Sequence, residues 1–274
     1  MKTVILTGNQ SNQRALCHKM ARVSELAAIV VSDNVPRRKP SLTKKLQSFT
    51  NRVTGRLAGR EFIETWFKML QAYDAEYAAF PDVPIIRVKN VNDAATVEAL
   101  EKYAPGLTVV SGTNLVGKKV IGASPRIVNL HTGISPYVKG GPNCTNWCLA
   151  KNWFHLIGNT VMWLDLGIDT GKLIATEQTP LDGGETLFEL HWKVMEHAHD
   201  LYARAVRRIG EGREVPSVPQ SEIAEGVTFY TADWNTSAQR AALRNIRDDY
   251  KNYFADPRIH RKMSAEIELV SLTR

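Results

Sequence analysis

Asn129 and His131 stand two apart at the end of an apolar stretch, Ile127-Val128-Asn129-Leu130-His131. On extended backbone that spacing turns both side chains to the same side. An amide donor and an imidazole opening onto one cleft suit a reaction at a carbonyl. The amide NH2 holds a developing oxyanion, and the imidazole moves a proton. Asp169 lies in the turn Gly167-Ile168-Asp169-Thr170-Gly171, which is expected to return to the same cleft. A carboxylate beside His131 favours the protonated ring and fixes its orientation. Taken singly, each residue has an ordinary reading: Asn129 ends a strand, His131 is a satisfied core histidine, and Asp169 is a turn residue. Three on neighbouring strand ends point to a site.

The elements that must position them are readable in outline. Thr3 to Leu6 is a short apolar run, followed by a helical stretch from about Ser11 to Leu26 and a buried strand from Ala27 to Val31. This order predicts a βαβ unit and hence a parallel sheet. The loop Gly8-Asn9-Gln10-Ser11-Asn12 is not a G-x-G-x-x-G dinucleotide fingerprint. Further strands are expected at Pro84 to Val88, Leu107 to Val110, Arg126 to His131, Leu156 to Leu166 and Leu173 to Thr179. A short helix from Asp93 to Tyr103 takes Asp93 as its N-cap. A long helix from about Thr186 to Glu211 has one apolar face, Leu187, Leu190, Val194, Ala198, Leu201, Ala205 and Ile209. After Arg213 the chain reads as one strand, Gly226 to Tyr230, and one helix, Ser237 to Phe254. In open sheets of this kind ligands collect beyond the carboxyl ends of the strands. The loops there are Ser111 to Asn114, Asn129 to Pro142 and Leu164 to Gly171.

The chain has 274 residues, with 35 Lys and Arg against 28 Asp and Glu, a net charge of +7. That is ordinary globular composition and excludes disordered and fibrous classes. The longest fully apolar run, Leu26 to Val31, is far short of a membrane span, and the first residues do not form a secretory signal, so an intracellular, cytoplasmic protein is expected. Arg37, Arg38, Lys39, Lys44, Lys45, Arg52, Arg56 and Arg60 form a basic segment without an acidic residue. It reads either as a phosphate or RNA site or as a solvated face. Two helices are expected from about Ser41 to Ala79, broken near Gly55 and Gly59, with Trp66, Met69, Leu70 and Tyr73 packing inward. Cys17, Cys144 and Cys148 read as buried free thiols, not a disulfide framework or a zinc site. His191, His197 and His199 lack the i, i+4 spacing of a helical zinc pair and read as surface or packing residues. No metal is expected.

Asn129-x-His131, then Ser135-Pro136-Tyr137-x-Lys139-Gly140-Gly141-Pro142, then Asp169-Thr170-Gly171 resembles the folate-dependent formyltransferase family. The resemblance runs from Met1 to Asp182 in element order and is sharpest from Ile127 to Ile174. It implies a Rossmann-like α/β fold, a mostly parallel twisted sheet flanked by helices. Residues 1–212 would be the catalytic domain, with a basic helical insertion at 35–80. A small α+β extension would occupy 213–274. It implies Asn129, His131 and Asp169 as the catalytic set and N10-formyltetrahydrofolate as formyl donor. Ser111, Gly112, Thr113, Asp165 and Gly167 would hold the pterin; Tyr137, Lys139 and Gly140 would face the substrate. The amine would attack the formyl carbon directly, through a tetrahedral intermediate. Two departures stand out: Ile134-Ser135-Pro136 replaces the usual Leu-Leu-Pro, and Lys139 replaces a common arginine.

Among acceptors, the resemblance favours a nucleotide-linked amino sugar, a precursor of cell-surface polysaccharide such as O-antigen. Lys139 or the basic segment would meet its pyrophosphate, and Tyr230, Trp234 or Trp153 would stack on base or sugar. Methionyl-tRNA or another small amine is the alternative. The tRNA enzymes carry a C-terminal β-barrel that the last sixty or so residues here do not suggest, so a nucleic acid partner is not expected. A homodimer fits this group. A binding module without catalysis is the remaining class.

Overall fold

The computed structural model describes residues 1–36, 59–141, 143–212 and 215–272. Its centre is a seven-stranded sheet. The strands are β1 (Lys2–Gly8), β2 (Glu25–Ser32), β3 (Ile85–Val88), β4 (Leu107–Ser111), β5 (Ile127–His131), β7 (Gly158–Trp163) and β8 (Leu173–Gln178), in the spatial order β3-β2-β1-β4-β5-β7-β8. β3 through β5 are parallel; β7 runs antiparallel to β5, and β8 antiparallel to β7. A second, two-stranded sheet pairs β6 (Val138–Gly140) with β9 (Val227–Phe229) in parallel.

Alternation along the strands fixes both faces of the sheet. Ile5, Ile29, Val109, Val128 and Val161 face one way. They meet α1 (Ser11–Ala21) through Leu16 and Met20, and α6 (Leu187–Gly210) through Leu201, Ala205 and Ile209. Val4, Leu6, Ala28, Val30 and Val110 face the other way. They meet α3 (Ala94–Tyr103) and α4 (Lys118–Gly122) through Ala99, Leu100 and Val120. A third cluster joins α5 (Cys144–Ala150) to α7 (Thr236–Asp248) and α8 (Tyr250–Ala255), with Trp147, Phe154 and Tyr250 in its interior. α9 (Pro257–Ala265) completes the chain's helices. No helix among the described residues is long and apolar enough to cross a membrane.

α6 forms where its apolar period places it. Thr186 accepts from the Glu189 N–H, and the Glu189 carboxylate accepts from the Thr186 N–H, a reciprocal cap. The predicted face is buried from Leu187 to Ile209. Tyr202 ties this helix to the sheet centre: its hydroxyl accepts from Val110 N–H at 3.0 Å and lies 2.8 Å from the Val128 carbonyl.

The second part of the predicted helical insertion is α2 (Arg60–Glu76), whose Met69 and Tyr73 are buried, Tyr73 stacking on Trp192 at 4.5 Å. The first part, and with it most of the basic segment, lies outside the described residues. Several boundaries differ from the sequence reading. Phe154–Leu156 is a 3-10 turn, so β7 begins only at Gly158. The expected final helix is interrupted at Asp249 into α7 and α8. The sequence reading places no element at α5, β6 or α9: the first two are too short to show a period, and α9 is amphipathic but only nine residues long. Asp93 occupies the N-cap position of α3, but its carboxylate instead accepts from Asn90 N–H at 3.0 Å.

Removing the Tyr202 hydroxyl leaves the Val110 N–H without its buried partner. Tyr202→Phe is expected to cost about 1–2 kcal/mol, seen as a lower urea midpoint at unchanged slope.

Candidate active site

β5 delivers Asn129 and His131 to the mouth of a cavity of about 610 Å³. They point to one side, as alternation requires. The loop between β7 and β8 brings in Asp169, held in a left-handed conformation with φ of 51°. Its carboxylate meets three donors. Asn129 Nδ2 donates to Oδ1 at 3.4 Å, Gly140 N–H donates to Oδ2 at 3.1 Å, and His131 Nδ1 lies 3.3 Å from Oδ2. Gly140 has φ of 88°, and a Cβ there would lie 2.1 Å from the Phe229 carbonyl oxygen. Only glycine brings this N–H to the carboxylate while β9 pairs alongside.

His131 is 7% exposed, and both ring nitrogens are engaged. Nε2 lies 3.1 Å from the Val138 carbonyl and 3.5 Å from Cys144 Sγ. A carbonyl has no proton to give, so Nε2 carries one. The carboxylate at Nδ1 favours a second. Burial is the largest single influence and works against the charged ring, but Asp169, Cys144 and the Val138 carbonyl together outweigh it and lift the His131 pKa to about 10. The ring is therefore an imidazolium at neutral pH. The sequence reading has the imidazole of His131 move a proton. The structure holds both nitrogens on the protein, Nε2 at the Val138 carbonyl and Nδ1 at the Asp169 carboxylate.

All five residues expected at the pterin, Ser111, Gly112, Thr113, Asp165 and Gly167, line the cavity. Asp165 organises its own loop, accepting from Gly167 N–H at 3.0 Å and from the Thr170 hydroxyl at 2.5 Å. Asn34 braces the facing loop, donating to the Gly112 carbonyl and accepting from Asn114 N–H. Val110, Val116 and Met162 give the space between these loops an apolar floor. Backbone-rimmed and apolar, it fits a flat heteroaromatic ring.

The expected substrate residues divide. Gly140 lines the cavity; Tyr137 and Lys139 are not among its lining residues. The Tyr137 hydroxyl accepts from Glu268 N–H at 2.7 Å and is part of the packing. Trp234 packs edge-on to Trp147 and Phe62, and Trp153 lies against Phe229. Trp66 lines the cavity instead. The wall beyond the three central residues also takes Asn12, Asn146 and His191. Asn12 and Asn146 are buried, and each has an amide oxygen without a partner. His191 is buried, and burial lowers its pKa to about 4, so the ring is neutral. His199 packs near Tyr73, and His197 bridges Glu177 and Asn159; neither is among the residues lining the cavity. Sequence spacing could not find this wall, because its members come from four helices. No Lys or Arg is among the described residues lining the cavity. The three cysteines are free and buried, and no His, Cys, Asp and Glu group able to hold a metal occurs among the described residues.

Comparison with known proteins identifies the family. The formyl transferase family profile matches residues 1–206, and the chain belongs to that family. A methionyl-tRNA formyltransferase of Syntrophus aciditrophicus is 31% identical over 142 residues, covering 51% of this chain and 45% of the relative. The match thus spans less than half of that relative's length. A sugar N-formyltransferase of a Shewanella species has the same fold, with a TM-score of 0.57 at 11% identity, covering 89% of this chain and 88% of that one. So has an N-formyltransferase of Helicobacter canadensis in complex with folinic acid and dTDP-3-aminofucose, with a TM-score of 0.54 at 14% identity, covering 90% and 81%.

The raised His131 pKa has a sign. The folded value lies above the ordinary 6.5, so the charged ring adds stability that is fully present below about 6.5 and is lost as pH rises through about 10. Nitrogen-15 NMR is expected to show both ring nitrogens protonated at pH 7. In Asp169→Asn the ring is expected to titrate well below 10, since burial then acts without its counter-charge.

Proposed function

We propose that the protein is an N-formyltransferase that moves a formyl group from N10-formyltetrahydrofolate to the amine of a nucleotide-linked amino sugar. The observation that carries the activity is the convergence of Asn129, His131 and Asp169 at one cavity. The folate supplies an activated one-carbon acyl group, and the loops at 111–114 and 165–167 would hold its ring. Asn129 Nδ2, whose second proton is not spent on Asp169, is the donor for the acyl oxygen as it takes on negative charge, and the His131 imidazolium supplies positive charge beside it. One such donor is worth about 3 kcal/mol. The imidazolium needs no further proton to play this part. Asp169 keeps it charged and, at its carboxylate, takes the proton that an attacking amine must lose. His131 is buried and Asn129 and Asp169 are partly so, which limits the water that would compete with the amine for the acyl group.

The acceptor side supports a sugar. The wall carries amides, a neutral imidazole and Trp66, and no Lys or Arg among the described residues. Amide oxygens without partners at Asn12 and Asn146 suit the hydroxyls of an uncharged ring. A phosphate at this depth would want a cation, so the phosphates of the substrate are assigned outside the wall. The Helicobacter canadensis protein, bound to dTDP-3-aminofucose, shares this fold. Methionyl-tRNA is the second reading, favoured by the sequence relative.

The assay mixes the protein with N10-formyltetrahydrofolate and follows folate absorbance with a dTDP-linked amino sugar, methionyl-tRNA and glycinamide ribonucleotide in turn. Turnover with the first alone is expected; turnover with methionyl-tRNA alone refutes the sugar assignment. Asn129→Ala, His131→Ala and Asp169→Ala are each expected to lower turnover about a hundredfold or more in a folded protein. Near-normal turnover in His131→Ala removes the mechanism.

A further inference from the structure

The family match ends at residue 206, yet a later residue reaches the catalytic turn. Gln220 opens a short 3-10 turn, Gln220–Glu222, and is 7% exposed. Its Nε2 donates to the Asp169 carbonyl at 2.7 Å and to the Gly171 carbonyl at 2.8 Å. A carboxamide nitrogen has two protons, and both are spent on this loop. The turn is itself anchored two residues earlier, where Val218 and Leu173 exchange backbone hydrogen bonds at 2.9 and 2.8 Å. β9 of the same segment pairs with β6, the strand whose Gly140 N–H reaches the Asp169 carboxylate. Asp169 is thus gripped at its backbone by Gln220 and at its side chain through a strand that the same segment supports. A non-glycine residue at φ of 51° is sparsely populated unless its surroundings hold it.

We propose that Gln220 is a positioning residue for Asp169, so that the segment after 215 is part of the active site and not an accessory to it. This rests on the formyl-transfer reading only in what Asp169 is positioned for. The amide was chosen over other polar groups by geometry: a lysine or hydroxyl does not present two coplanar N–H donors to two carbonyls from one atom. The ionisable groups in the segments meeting there are His131, Lys139, Asp165, Asp169, Lys172, Glu222 and Glu225.

The full chain carrying Gln220→Met or Gln220→Glu is compared with the wild type by kcat and KM across pH, and by deuterium uptake of residues 164–172. Gln220→Met is expected to lower kcat about tenfold to a hundredfold with KM little changed, and to speed uptake in that loop. The carboxyl introduced by Gln220→Glu repels both carbonyls when ionised and donates to one when protonated. Its kcat relative to wild type should therefore climb as pH falls, a signature that general destabilisation does not give. A kcat for Gln220→Met within about twofold of wild type, or a Gln220→Glu ratio flat with pH, overturns the proposal. If the wild type formylates none of the amines offered, the functional reading fails by itself. Uptake then decides the clamp: faster exchange at 164–172 in Gln220→Met upholds it, and unchanged exchange overturns it.

Discussion

One carboxylate organises this molecule's chemistry. Asp169 accepts from Asn129, His131 and the Gly140 backbone. The partners arrive from two parts of the chain: two from a central strand, one from a small second sheet. A partly buried carboxylate without such donors would be costly; with them it holds an imidazolium where burial alone would drive the proton off. The charge pair is therefore conditional on tertiary structure. The sheet must close, the β7–β8 turn must fold back, and β6 must lie close enough to offer an N–H.

That dependence explains what the sequence disclosed. The parallel sheet was legible because Val4 to Leu6, Leu26 to Val31 and Leu107 to Val110 are apolar on both faces, which only a sheet covered by helices on both sides needs. Asn129 and His131 were legible because period-two spacing is local. Asp169 was legible through the family pattern and its glycine-bounded turn. The engagement of His131 Nε2 was not, since the Val138 carbonyl comes from a strand of three residues with no period to detect. Tyr137 and Lys139 show the reverse error. They stand in the right motif, but neither is among the residues lining the cavity, and the Tyr137 hydroxyl is taken up by the C-terminal segment. The amide wall stayed hidden because Asn12, Trp66, Asn146 and His191 share no spacing at all.

The two faces of the sheet divide the labour. One is covered by α3 and α4 with aliphatic packing. The other carries α1 and α6, whose ends supply Asn12 and His191 to the cavity. Tyr202 pins α6 to β4 and β5 from within. The helix that lines the acceptor wall is thereby locked to the strand that bears Asn129 and His131. Recognition and chemistry share one rigid frame, as a reaction needing atoms placed within a fraction of an ångström requires.

The wall's lack of Lys and Arg among the described residues contrasts with a chain of net charge +7. On the proposed reading, long-range attraction of an anionic acceptor and the bond-making itself would be entrusted to different regions. Mobile ions blunt the first, which acts across solvent over about a Debye length, and barely reach the second, which is buried. Ionic strength should consequently govern how often an acceptor arrives, while leaving the rate at which a seated one reacts almost untouched.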